Sequence, residues 1–176
     1  MKRREAIQQA ALLMGGILSA PTLAGAMGRV TNLGPSVAVS PDQEALLAEV
    51  ADVIIPTTTT PGAKAAGAEK FIVRVMRDCY PKPDQEKFYA GLAKLDADSK
   101  TKFSKGFAAL DTAQKNEMVK QIMTEDKPFF LRMKELTTTG YFTSEIGATK
   151  ALEYLPVPGQ FNGCMPLKPG QKTWAI

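Results

Sequence analysis

Apolar residues recur at helical spacing along most of the chain between residues 40 and 155. Leu46, Leu47, Val50, Val53 and Ile54 lie on one face of a first predicted helix. Its start is well marked. Ser40 can cap, Pro41 suits the first helical position, and Gln43 completes a capping box. Pro56 stops it, and Thr57 to Thr60 with Pro61-Gly62 form a loop that has no apolar residue to bury. A second helix is predicted over 63–79, with Phe71, Ile72, Val75, Met76 and Cys79 on one side and Lys70, Arg74, Arg77 and Asp78 mostly on the other. Pro81-Lys82-Pro83-Asp84 ends that helix and begins a third, whose apolar face is Phe88, Tyr89, Leu92 and Leu95. Phe103, Phe107 and Leu110 continue in a fourth segment that Gly106 weakens. Asp111-Thr112-Ala113-Gln114 is a second capping box and opens a helix through Met118, Val119, Ile122 and Met123. A further helix over 127–139 has Phe129, Phe130, Met133 and Leu136 as its core side, and a short one is expected over 144–153.

Beyond Leu155 the pattern changes. Pro156, Pro158, Pro166 and Pro169, with Gly159, Gly163 and Gly170, argue against regular structure through residue 176. No strand, heptad array or internal repeat stands out. The expected fold class is all-α: a bundle of five or six short helices with an extended Pro/Gly-rich C-terminal tail. The expected organisation is a signal peptide at 1–26, a linker at 27–39, a helical domain at 40–155 and a partner-binding tail at 156–176.

The first 26 residues read as an address. Lys2-Arg3-Arg4 precede an uncharged, mildly apolar stretch, and Ala24 and Ala26 place small residues where a signal peptidase accepts them. Arg3-Arg4 ahead of so diluted an apolar stretch favours a twin-arginine (Tat) signal over a general secretion signal. An uncleaved anchor is the third reading, and the weakest, since a span needs about 20 strongly apolar residues. The expected location is therefore the periplasm, with any membrane association arising through a complex. Export alters the reading of Cys79 and Cys164, because an oxidising compartment permits disulfides. They can pair with each other, remain two unrelated thiols, or leave Cys164 to bridge to a partner chain.

Composition excludes much chemistry. The chain of 176 residues contains no histidine, which removes Ser-His-Asp and Cys-His catalysis, His-based metal sites and the C-x-x-C-H attachment of c-type haem. The net charge is +4, but three of the 22 basic residues and one of the 18 acidic ones fall in the first 26 positions, so the remainder carries only +2. Basic residues form no stripe interleaved with aromatics, so no nucleic-acid partner is expected. Asp42, Glu44, Glu49 and Asp52 read as a solvated acidic face of the first helix. Thr57 to Thr60 and Thr137 to Thr139 read as solvated turns or helix ends. No glycine-rich phosphate loop is present. Met118, Met123 and Met133 sit at core-like spacings rather than as a copper site. Neither a catalytic residue, a metal ligand nor a cofactor is expected in this chain.

The aromatics cluster late. Phe129 and Phe130 are neighbours pointing about 100° apart, so both are buried only under broad cover or another chain. Tyr154, Phe161 and Trp174 lie in a segment too rich in Pro and Gly to bury them in a helix of its own. They must drape over the domain or over a partner, and aromatics are favoured interface anchors. The candidate partner-binding residues are Phe129, Phe130, Tyr141, Phe142, Tyr154, Pro158, Gly159, Phe161 and Trp174.

Three stretches together resemble one family. They are Leu46 to Thr57 with Pro61-Gly62-Ala63, then Phe129-Phe130 through Gly140-Tyr141-Phe142-Thr143-Ser144-Glu145, and Tyr154-Leu155-Pro156-Val157-Pro158-Gly159. Their order and spacing are similar to the small, third subunit of gluconate 2-dehydrogenase-type enzymes. The resemblance implies a non-catalytic subunit beside a large flavoprotein of the glucose–methanol–choline (GMC) oxidoreductase type, which holds FAD and oxidises a sugar or sugar acid. A multihaem cytochrome c is a further implied partner. It also implies that the small subunit carries the Tat signal and escorts the catalytic chain. The alternative is a free-standing exported helical binding module without a flavoprotein partner.

Overall fold

The computed structural model describes residues 37–155 together with 157, 159, 164, 166 and 169–175. The expected signal residues Arg3, Arg4, Ala24 and Ala26, and the tail residues Pro158 and Phe161, lie outside the described residues. Among the described residues the architecture is five α-helices with a 3₁₀ turn, a π turn and one two-residue strand pair. The helices are α1 (Pro41–Ile54), α2 (Ala68–Cys79), α3 (Lys82–Phe103), α4 (Thr112–Glu125) and α5 (Lys127–Phe142). The all-α expectation holds.

Local chemistry sets the helix starts. The Ser40 hydroxyl accepts from the Gln43 amide at 3.2 Å, and Gln43 Oε1 accepts from the Ser40 amide at 3.0 Å. The same reciprocal box opens α4, where Asp111 Oδ1 accepts from the Gln114 amide at 2.8 Å and Gln114 Oε1 from the Asp111 amide at 3.3 Å. Asp126 caps α5 by accepting from the Phe129 amide at 3.2 Å.

Three boundaries differ from expectation. Residues 63–67 are a turn rather than the start of α2, because Gly67 takes a left-handed conformation (φ +69°) immediately before the helix. The α3 helix is longer than expected and runs to Phe103, where Ser104 turns left-handed and its amide donates to the Lys100 carbonyl. Phe107 and Leu110 therefore sit in and beside a 3₁₀ turn (Phe107–Ala109) rather than in a fourth helix. The α5 helix continues three residues beyond the expected end, to Phe142. The segment after it is a π turn (Gly147–Ala151) in place of a regular helix.

The α1 helix is central and packs against the other four. The core draws Leu47, Val50 and Ala51 from α1, Ile72 and Met76 from α2, and Phe88, Leu92 and Leu95 from α3. Met118 and Ile122 of α4, Phe129, Met133, Leu136 and Tyr141 of α5, and Phe107 and Leu110 in and beside the 3₁₀ turn join them. The chain joins this body before α1. Val37 and Val39 pack against the core, and the Val37 amide donates to the buried Gln85 side chain at 3.0 Å.

No strand was expected, yet β1 (Glu153–Tyr154) pairs in parallel with β2 (Trp174–Ala175). The Glu153 amide donates to the Thr173 carbonyl at 2.9 Å, and Ala175 is buried. The end of the tail thus returns to the body and is held there by backbone bonds, which residue pattern does not encode.

Candidate functional site

The stretches Leu46–Ala63 and Phe129–Glu145, far apart in sequence, meet at one end of the bundle. The loop after α1 is closed by short-range bonds. The Gly62 amide donates to Thr57 Oγ1 at 2.9 Å, and the Ala63 amide donates to the Ile55 carbonyl at 2.9 Å. Gly62 is required there, since a Cβ would stand 2.6 Å from the Thr57 nitrogen and 2.7 Å from the Ile55 oxygen. Tyr141, near the end of α5, donates its hydroxyl to the Pro61 carbonyl at 2.7 Å across 80 residues of sequence. Ser144 Oγ then donates to the Tyr141 carbonyl at 2.6 Å and accepts from the Gly147 amide at 3.0 Å. This bond pair ends α5 and starts the π turn, on which β1 packs.

The candidate partner-binding residues divide sharply here. Tyr141 and Phe129 are buried, so neither offers a docking surface. Phe129 packs on Phe88 with ring centroids 5.4 Å apart. Phe130 is half-buried against the core. Phe142 is 39 % exposed, Tyr154 54 % and Trp174 46 %, and Gly159 is also exposed. The exposed aromatics belong to the end of α5 and the β1–β2 pair, which are linked through the π turn. Phe142 stands edge-on to Tyr141 at 5.1 Å, so the buried tyrosine supports the exposed phenylalanine. Cys79 and Cys164 are both exposed and are not bridged to one another.

The acidic face of α1 is less uniform than its spacing suggests. Glu49 is only partly exposed and receives two ammonium groups, Lys64 at 2.5 Å and Lys115 at 2.6 Å. Burial by itself would raise its pKa. The bonds and charges of Lys115 and Lys64 outweigh that and hold the carboxyl below its ordinary 4.5. Asp96 is similarly held low by Lys100 at 2.5 Å, despite partial burial, and also accepts from the Phe107 amide. Thr137, expected at a solvated end, is buried within α5.

A groove of about 570 Å³ opens between α3 and the facing ends of α2 and α5. Sequence reasoning missed it, although Gly91 was a usable signal in the middle of an apolar-periodic helix. A Cβ at Gly91 would stand 2.7 Å from the Phe129 ring. On the groove's edge Arg132 stacks over the Tyr80 ring at 4.7 Å and donates to its hydroxyl at 2.6 Å. Among the described residues no group of three or more His, Cys, Asp or Glu is placed to hold a metal ion, and no helix is long and apolar enough to cross a membrane.

The model of one family, gluconate 2-dehydrogenase subunit 3, matches residues 41–159, from the first residue of α1 to just past β1. The chain belongs to the gluconate 2-dehydrogenase subunit 3 family. As a subunit 3 chain it is one component of a gluconate dehydrogenase complex, which implies a catalytic partner. Comparison with the curated proteins and with the solved structures gives no match. Within this subunit 3 chain, the stretches that carried the resemblance are largely the bonded framework just described. Pro61, Gly62, Tyr141 and Ser144 hold the end of the bundle together, and Phe142 and Tyr154 are what they leave exposed.

Proposed function

We propose that this chain is the non-catalytic small subunit of a periplasmic, FAD-dependent sugar or gluconate dehydrogenase. It carries the Tat signal and escorts and stabilises a GMC-type flavoprotein, which holds the FAD. A multihaem cytochrome c is the natural further member, receiving the electrons. The observation that carries this reading is the set of large apolar side chains left in solvent at one end of the family-matched body. Phe142, Tyr154 and Trp174 are exposed there, Phe142 against the Tyr141 ring whose hydroxyl is bonded to Pro61, and Tyr154 and Trp174 on the paired strands β1 and β2. Rigid aromatic anchors lose little entropy on docking and are the side chains that most often dominate an interface.

Co-production of this chain with the flavoprotein catalytic subunit of its complex tests the reading. The wild-type pair should co-purify, and Phe142→Asp with Trp174→Ala should weaken the pair about tenfold or more while leaving the melting temperature of the small subunit nearly unchanged. Replacing Arg3 and Arg4 with Lys should leave both chains in the cytoplasm. A flavoprotein exported and active to the same degree without this chain would sink the proposal. The second reading, a free-standing binding module, draws on the burial of Ala175 and the β1–β2 pairing, by which residues 174–175 return to the chain's own domain. A monodisperse monomer that ignores the flavoprotein would favour it.

A further inference from the structure

The threonine runs are unused by the reading above, and the fold brings them to one end of the bundle. Residues 53–63, from the end of α1 through the loop after it, carry no charged side chain, and neither do residues 136–144 around the end of α5. At 23 % charged residues, these twenty positions would hold about four or five charges by composition alone. The bond from Tyr141 to Pro61 joins the two segments. Thr57, Thr58 and Thr59 of the first and Thr139, Phe142 and Thr143 of the second are exposed. Several of the polar groups are bonded within the end itself. Thr57 Oγ1 accepts from the Gly62 amide, the Thr58 amide donates to the Thr60 carbonyl at 3.0 Å, and Thr143 Oγ1 donates to the Thr139 carbonyl at 2.7 Å. Covering them therefore breaks fewer bonds to water than covering free groups would. Charge returns only at the borders, with Asp52 and Lys64 around the first segment and Glu135 and Glu145 around the second. Asp52 is half-buried beside Gly62, Lys64 is paired with Glu49, and Glu135 is paired with Arg132.

We infer that this uncharged end is the centre of the contact with the catalytic partner, and that it meets an uncharged patch of that chain. Interface centres are depleted of charge and ringed by polar residues, whereas a surface that stays in water keeps charges for solubility. Phe142 supplies the anchor, and the threonines around it exclude water while adding little energy themselves. Family membership supplies the occupant. A subunit 3 chain is one component of a complex with a catalytic chain, and the uncharged end is continuous with Phe142, through which the proposed contact runs. The inference rests on that proposed association. It adds where the contact is centred, and that its centre is held by fit rather than by paired charges.

The test uses the whole small subunit with the co-produced catalytic subunit. An unpaired charge in a desolvated centre is penalised whichever its sign. Thr59→Lys and Thr59→Glu should therefore both raise Kd, each about tenfold or more. Thr139→Lys should do the same while holding or raising the melting temperature of the free subunit, because a cation suits the last turns of a helix. Thr124→Lys, the same change at the junction of α4 and α5, should leave Kd unchanged. A photocross-linker placed at Thr59 should capture the catalytic subunit. Association that the Thr59 and Thr139 variants leave intact overturns this inference alone. So do opposite responses to the two signs of charge at Thr59, and capture of a second copy of this chain. A wild-type chain that never associates with the flavoprotein overturns the underlying reading, and this inference with it.

Discussion

Glu49 reads as a solvated acid in the sequence and is an ionic junction in the fold. It sits on α1 between Lys64 of the following turn and Lys115 of α4, 66 residues away. Lys64 is half exposed and contributes little, whereas Lys115 is as buried as Glu49 itself, at 15 % and 19 % side-chain exposure. Removing the carboxylate strands the Lys115 ammonium. Glu49→Gln should therefore cost about 1–3 kcal/mol at neutral pH, read as a shift in the urea midpoint. The pH dependence has a definite sign. The folded-state pKa is depressed, so below 4.5 the unfolded chain takes up the proton first. The stabilisation is complete above that value and is lost as pH falls towards the lower folded-state pKa. Wild type should lose stability in that window, and Glu49→Gln should lose less.

Helices show how far local chemistry carries. The boxes at Ser40–Gln43 and Asp111–Gln114 lie three residues apart, within reach of any chain that begins a helical turn, so sequence spacing locates both. Ser40→Ala and Asp111→Ala should each cost about 1 kcal/mol, additively, since the caps share no partner. Thermal melts of the two single variants and the double variant check both statements. Helix ends without such caps were legible only approximately. The start of α2 depends on the left-handed Gly67, and the end of α3 on a left-handed Ser104 that no propensity marks. A helix end of that kind is set by what the next segment must reach, here the Phe107 amide bonded to Asp96.

Across the whole molecule, the bond from Tyr141 to Pro61 joins the two halves of the family-matched region. Tyr141→Phe should cost about 1 kcal/mol, the usual net value of a buried neutral hydrogen bond. Gly62→Ala, which drives a Cβ against backbone atoms of Thr57 and Ile55, should cost about 1–3 kcal/mol. A double variant should cost less than the sum, because opening the loop already displaces the Pro61 carbonyl. Denaturant curves of the three variants decide this. The division of the aromatics is also a whole-molecule property. Phe129 and Phe130 look equivalent as neighbours on a helix, and only the close passage of Gly91 on α3 admits the first to the core.

By itself the sequence determined the all-α class, the capped helix starts, the loop after α1, the absence of imidazole chemistry and the family resemblance. These depend on residue identity and spacings of a few residues, where the backbone leaves little choice. Tertiary structure decided which late aromatics remain exposed, that Glu49 is an ionic junction rather than a solvated acid, that a groove opens beside Phe129, and that the end of the tail returns to pair with β1. Each of those depends on segments far apart in the chain meeting at hydrogen-bonding or van der Waals distance, and packing alone selects which segments meet.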